Sequence, residues 1–269
     1  MIEDFLKFFS ETLFTEKYTS INGLLQKIDP RAKITSFIIL ILASIISNSL
    51  LPLLLFLFLI FSLAIMSKIS IKKFLFRTLL FTTLFSIIIA IPNLFINSGV
   101  VIISFNIYNF NLRITEQGLF STLQFILRVW VCVSSLILLN LTTKFSSIIN
   151  TMESFKFPKV FIMIITVTYR FIFLFVNEAY QMILAKEARS IRKISKIENI
   201  KILGFMISSL FIRAYEKGEK VYLAMKNRGY SGEMKNLSMI NFHFKDAIFI
   251  FSFLMFIVFS FFIGGFIKI

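Results

Sequence analysis

Two arginines carry the chemistry most open to this chain. Arg189 lies in Ala188-Arg189-Ser190 and Arg228 in Asn227-Arg228-Gly229, each at the end of a helix-patterned segment. A guanidinium forking onto a carboxylate forms charge-assisted hydrogen bonds worth about 1.5–3 kcal/mol. The small residues Ala188, Ser190 and Gly229 leave both guanidiniums unobstructed for such docking. A blander account also stands. A cation in the last turn of a helix is stabilised by the macrodipole by roughly 0.3–1 kcal/mol, and Arg189 serves equally well as a membrane-surface anchor. Both arginines fall within residues 179–245, a block holding thirteen Lys and Arg in a chain otherwise poor in charge.

Other chemistry finds little material. His243 is the only histidine and Cys132 the only cysteine, so neither a metal cluster nor a disulfide can be assembled from this chain. His243 reads as a membrane-interface residue and Cys132 as a small packing residue. The three aspartates, Asp4, Asp29 and Asp246, lie outside the apolar runs. No paired carboxylates and no Ser-His pair emerge, so no catalytic residue and no cofactor is expected. None of the nine glycines belongs to a G-x-x-x-x-G-K-[ST] loop, so ATP energy would have to come from another chain. The net charge of +15 could suggest nucleic acid, but no aromatic-interleaved basic motif accompanies it. Lys- and Arg-rich cytoplasmic loops beside anionic lipid account for it better.

The elements that must position the two arginines are membrane helices. The chain of 269 residues is 57% hydrophobic with 36 Phe, and its mean hydropathy is +0.85. Residues 34–67 carry no charge; the run is too long for one span and suits two joined by a turn at Asn48 to Pro52. Further spans are expected at 77–97, at 118–142 with Arg128 inside, and at 247–267, where Gly264-Gly265 lies near the end. Lys7, Lys17, Lys27, Arg31 and Lys33 precede the first span, and Lys68, Lys72, Lys73 and Arg77 separate the second from the third. The turn near residue 50 has no basic residue and the 98–117 loop has only Arg113. The positive-inside rule then sets the N-terminus in the cytoplasm. Residues 159–178 are apolar enough for a sixth span, but that crossing would put the thirteen-cation block outside. Arg170 at a bilayer centre would add roughly 2.5–3.5 kcal/mol. Five spans are therefore expected, with 159–178 a helix beneath the membrane part.

The intervening pieces follow from local pattern. Phe5, Phe8, Phe9 and Leu13 give the N-terminal segment one apolar face suited to the interface. That segment has no basic n-region, and no cleaved signal peptide is expected. Asp29-Pro30 is a helix start, Asp at N-cap and Pro at N1. Residues 101–114 alternate with period two and read as an external hairpin. Residues 143–157 have helical spacing, and Pro158 is expected to stop that helix. A long helix over 159–193 and another over 200–228 follow, with Gly229 as a C′ glycine and Arg228 in the last turn. The expected fold is all-α: a polytopic membrane protein with about five transmembrane helices and a cytoplasmic domain of long helices. Its divisions fall at 1–142, 143–245 and 246–269.

These motifs resemble those of the transmembrane T components of energy-coupling factor transporters, the EcfT/CbiQ family. Ile28-Asp29-Pro30-Arg31-Ala32-Lys33 is similar to the family's Asp-Pro-Arg-x-Lys opening of the first span. Ala188-Arg189-Ser190 resembles its first Ala-Arg-Gly/Ser signature. Ala224-Met225-Lys226-Asn227-Arg228-Gly229-Tyr230 resembles the second, with Asn227 where alanine is usual. The resemblance covers nearly the whole chain. It implies a non-catalytic subunit of a prokaryotic cell-membrane importer. Its partners would be two ABC ATPase subunits and a small substrate-binding membrane subunit, an S component or a CbiM-like protein. Arg189 and Arg228, flanked by Ala188, Ser190, Asn227 and Gly229, would dock on the ATPases. Asp29, Pro30, Arg31 and Lys33 would form the helix-opening motif. Tyr18-Thr19-Ser20 before that motif looks more like the cobalt/nickel branch than the vitamin branch.

Two other classes compete. A secondary transporter usually needs ionisable residues inside its spans, and Arg128 is the clear candidate here. A lone arginine more often snorkels or pairs locally. A membrane scaffold or assembly factor without ATPases would share the long helices and differ only in its partner.

Overall fold

The computed structural model describes residues 23–96, 100–107, 110–189, 195–230 and 243–266. The readings of Phe5, Phe8, Phe9 and Leu13, of Tyr18-Thr19-Ser20 and of Ser190 lie outside these residues. After a 3-10 turn, Leu25–Lys27, come three helices: α1 (Pro30–Ile46), α2 (Leu50–Met66) and α3 (Ile71–Ile96). An antiparallel hairpin, β1 (Val101–Ile107) and β2 (Phe110–Thr115), follows, then α4 (Glu116–Thr142) and α5 (Phe145–Ser154). The chain continues as α6 (Lys159–Arg189), α7 (Lys196–Asn227) and α8 (Phe244–Phe266). Helices dominate, as expected of an all-α membrane protein, and the hairpin falls where the alternation placed it. Its register runs from Val101 opposite Thr115 to Ile107 opposite Phe110, with an irregularity between Val101 and Ile103.

The helices separate into two compact units. One comprises α1 to α4, the hairpin and α8. The other is built from α5 beyond Phe145, α6 and α7.

In the first unit, Phe37 and Leu40 of α1, Leu53, Phe56 and Ile60 of α2, Phe74 of α3, Val131 and Leu138 of α4, and Phe253 of α8 make one core. Edge-on ring pairs knit it together: Phe37 with Phe253 at 6.0 Å, Phe56 with Phe261 at 6.2 Å, and Phe61 with Trp130 at 6.0 Å. Small residues bring the backbones close, as membrane helices require where apolar burial alone gives little drive. Ala32, Ser36, Ser44, Ala64, Ser134 and Ser135 are all buried. Ser44 and Ser135 donate to the carbonyls of Ile41 and Cys132 within their own helices, which satisfies hydroxyls in an apolar setting. A Cβ at Gly264 would lie 2.4 Å from the Pro52 ring, so this glycine sets the approach of α8 to α2.

By length and composition, α4, α6 and α8 are able to cross a membrane, and α2 is a shorter apolar helix, among the residues described. Several boundaries differ from the sequence reading. The α1–α2 turn is shorter, and Pro52 lies within the first turn of α2, where a missing N–H is harmless. The helix α3 starts at Ile71, before the expected 77, because Lys72, Lys73 and Arg77 extend the helix instead of ending it.

Pro158 does not end α5. That helix stops at Ser154 through Lys156, whose φ of 58° is left-handed. The Lys156 N–H donates to the Glu153 carbonyl and the Phe157 N–H to that of Met152. This is a Schellman closure with lysine at the position glycine usually takes. Pro158 instead opens α6, its carbonyl accepting from the Phe161 and Ile162 N–H groups.

Candidate functional site

The two arginines occupy the ends of an antiparallel helical hairpin, α6 and α7, Arg189 beside the connection between the helices and Arg228 at the open end. Three side-chain contacts fix that pairing along its length. Tyr230 Oη meets Met163 Sδ, Glu178 Oε1 pairs with Arg213 Nη1 at 3.1 Å, and Lys186 Nζ bonds Asn199 Oδ1. Because the helices run oppositely, Arg189 at the end of α6 and Arg228 at the end of α7 sit at opposite ends of the hairpin. The 31 residues of α6 correspond to about 45 Å at 1.5 Å per residue. Two partners, or two distant sockets on one, could be engaged at once.

Each end is built locally. At the α7 terminus the Gly229 N–H donates to the Lys226 carbonyl and the Tyr230 N–H to that of Met225. This Schellman closure needs a left-handed residue, and Gly229 has φ 80°. Arg228 is the C-cap itself, one residue beyond the last turn where the sequence reading set it. Asn227, Arg228 and Gly229 are all exposed, as are Ala188 and Arg189. The opening end of α7 has a capping box: Ser195 and Glu198 satisfy each other's backbone N–H groups. That box starts the helix at Lys196, ahead of the expected 200, and it is legible afterwards as Ser-x-x-Glu.

Between the helices lie two hollows of opposite character. One, of about 800 Å³, is lined by Glu178, Lys186, Arg189, Arg213 and Lys217 among others. The second, of about 370 Å³, is apolar, with Val167, Phe171, Phe175, Val221 and Tyr222 on its walls. The Glu178–Arg213 pair is partly exposed, so it registers the helices more than it stabilises them. No residue of α7 is buried, although Ile200, Phe205, Ile207 and Phe211 are apolar. An apolar helix face left open in this way suits a protein or lipid partner.

The helix-opening motif has a different setting, in the other unit. Asp29 is the N-cap of α1, its carboxylate accepting from the Arg31 N–H at 2.8 Å, with Pro30 at N1. The Asp29 N–H donates to Asp246 Oδ1 at 2.8 Å. Asp246 Oδ2 accepts the His243 N–H at 2.9 Å, which caps the start of α8. Lys33 Nζ donates to the Thr142 carbonyl at 3.2 Å, at the end of α4. Lys33 is 2% exposed and Asp246 3%. Lys33 precedes the uncharged run of the first span, and its ammonium is pushed down from 10.5 to about 8. Burial is the cause; Asp29 and then Asp246 oppose it by attraction. One buried polar joint thus ties together the start of α1, the end of α4 and the start of α8.

Asp246 was missed as a member of this motif. The sequence did hold a trace of it: two of the three aspartates lie within five residues before the first and the last uncharged runs. Arg128, the candidate for ion coupling, donates through Nη2 to the Ser47 carbonyl at 2.8 Å, beside Gln124 Nε2 on the same oxygen at 3.2 Å. It pins α4 to the α1–α2 turn. Cys132 Sγ lies 3.2 Å from Ser44 Oγ, a polar contact between α4 and α1.

Comparison with known proteins bears on these features. The chain is 36% identical over 252 residues to an uncharacterized protein of Methanocaldococcus jannaschii, covering 93% of this chain and 86% of that protein. It is 29% identical over 163 residues to a putative fused cobalt transport protein CbiMQ of Methanocorpusculum labreanum, covering 56% of this chain and 27% of that longer protein. It is 24% identical over 232 residues to the energy-coupling factor transporter transmembrane protein EcfT of Listeria innocua, covering 82% and 86%. The CbiQ family, described as cobalt transport protein, matches residues 22–239, which include the opening motif and both arginine signatures. This chain belongs to the CbiQ cobalt transport protein family.

Proposed function

We propose that this chain is the energy-coupling transmembrane subunit of an ECF-type ABC importer, taking up cobalt or nickel. Family membership makes it a multi-pass membrane component of a transport system. The finer reading adds the coupling role. Arg189 and Arg228 dock on two ABC ATPase subunits in the cytoplasm, and nucleotide-driven closure of those subunits moves the α6–α7 hairpin. The hairpin carries that movement to a small substrate-binding membrane subunit, an S component or CbiM-like protein. Ala188, Ser190 and Gly229 allow close approach at the docking ends, and Asn227 stands beside Arg228. The N-terminus lies in the cytoplasm of a prokaryotic cell membrane. Residues 1–142 form the N-terminal membrane domain, 143–245 the coupling domain and 246–269 the last span.

One observation carries this reading: two exposed arginines cap opposite ends of a single helical hairpin. A lone docking point would need only one. The similarity to the CbiMQ and EcfT proteins supports the class of system and, for CbiMQ, the cobalt cargo. The chain itself supplies no ATP-binding loop, so hydrolysis falls to partners. A secondary transporter is disfavoured because Arg128 is engaged with the Ser47 carbonyl. The test is a mild-detergent pull-down from the native host with mass spectrometry. Two ATP-binding cassette subunits and a small membrane protein are expected. Recovery of the chain alone, stable and monodisperse, would overturn the coupling role.

A further inference from the structure

We propose that the buried joint of Asp29, Lys33 and Asp246 is the point at which hairpin movement enters the membrane unit. This inference rests on the coupling role above. The stretch that holds α5, α6 and α7 leaves α4 after Thr142 at one crossing and arrives at α8 through His243 at another. Two residues from the opening of α1 hold both. Lys33 Nζ grips the Thr142 carbonyl at the outgoing crossing. The Asp29 N–H grips Asp246 at the returning one, where Asp246 also holds the His243 N–H.

The chemistry suits transmission of force. An apolar contact slides at little cost, because it has no preferred partner atom. A buried charge-assisted hydrogen bond does not, since breaking it leaves a desolvated group unpaired. Displacement of either crossing therefore acts on α1 directly. Asp29 Oδ2 is buried and has no donor among the described residues. It is a second acceptor in the same cluster, to which Lys33 can turn when Thr142 moves away. The joint therefore has two arrangements available. It also gives the Asp-Pro-Arg-x-Lys opening a role distinct from ATPase docking.

The test uses the complex recovered with its ATPases. Spin labels are placed at Ser208→Cys in α7 and Ser252→Cys in α8, on a Cys132→Ser background. Their separation is read by pulsed electron spin resonance without nucleotide and with Mg-ATP and vanadate. The joint is then weakened by Lys33→Met, which removes the bond to Thr142, with Asp246→Asn, whose neutral amide oxygen is a poorer acceptor for the Asp29 N–H; the pair leaves the net charge of the cluster unchanged and so avoids an extra uncompensated buried charge. ATPase recovery and ATP hydrolysis should persist in this variant while the nucleotide-driven change in separation is lost. A full change in separation in the variant would overturn the proposal. So would loss of assembly, because the joint would then only hold the fold. Absence of any nucleotide-driven change in the labelled complex with the joint intact would instead defeat the coupling role itself.

Discussion

Stability in detergent should rise with pH between about 8 and 10.5, and Lys33 supplies the reason. In the folded chain its ammonium loses its proton near pH 8, against 10.5 when exposed. Between those values the unfolded chain binds more protons than the native one, so raising the pH favours the native state. Below pH 8 the buried cation opposes folding fully; above 10.5 the opposition is gone. The interval corresponds to roughly 3 kcal/mol at 1.36 kcal/mol per pH unit. For a chain of this size that is about 5–10 °C in melting temperature between pH 7.5 and 10. The assay is thermal unfolding in a mild detergent, followed by tryptophan emission from Trp130, the only tryptophan. The Lys33→Met/Asp246→Asn variant, which lacks this ammonium, gives the reference slope. The difference between the two curves isolates Lys33. Parallel curves would refute the reasoning, because they would mean that the Lys33 ammonium is not held in a desolvated site.

Other outcomes follow from single positions. Gly229→Val should weaken ATPase recovery and fray the end of α7, since its φ of 80° costs a branched residue about 1–2 kcal/mol; circular dichroism and pull-down read the two effects. Lys156→Gly should stabilise the chain by about 1 kcal/mol, because lysine there holds the left-handed closure of α5; an unchanged or lower melting temperature would count against that geometry. Gly264→Leu should destabilise the membrane unit by about 1–3 kcal/mol, since its Cβ would meet the rigid Pro52 ring, and Gly265→Leu, with open space around it, should be near neutral. A cysteine introduced as Lys235→Cys should resist membrane-impermeant maleimide applied to intact cells; labelling from outside would contradict the five-span orientation.

Much of the local architecture is legible in the sequence, because helix ends carry their own chemistry. Asp29-Pro30 begins α1 as its types dictate, and Gly229 closes α7. Charge-free runs locate α1, α2, α4 and α8 to within a few residues. The period-two alternation of 101–114 marks the hairpin. What escapes is whatever depends on distant partners. The bond from the Asp29 N–H to Asp246 joins residues 217 apart, and no local pattern encodes it. The engagement of Arg128 with the Ser47 carbonyl is hidden in the same way, since a carbonyl acceptor leaves no mark in residue type. Pro158 misled for a local reason. Proline ends one helix and opens the next with equal ease, and the left-handed lysine that stops α5 has no side-chain signature.

The hairpin geometry and the polar joint give two separable jobs to two families of residues. In the proposed coupling role, the arginine ends would determine whether partners bind, and the joint whether their movement is felt. The first is the more exposed to experiment, because Arg189 and Arg228 lie on the surface and can be truncated without disturbing a core. A charge-assisted contact at one of them is worth about 1.5–3 kcal/mol, or roughly 10–150-fold in affinity.

The most direct measurement is a pull-down of the Arg189→Ala/Arg228→Ala chain from native membranes, compared with the unaltered chain at equal expression. The coupling account predicts that the double variant inserts and folds but recovers no ATP-binding cassette subunits, while each single variant recovers a reduced amount. Full recovery of those subunits by the double variant would contradict the account, and the docking surface would then have to be sought elsewhere on α6 and α7.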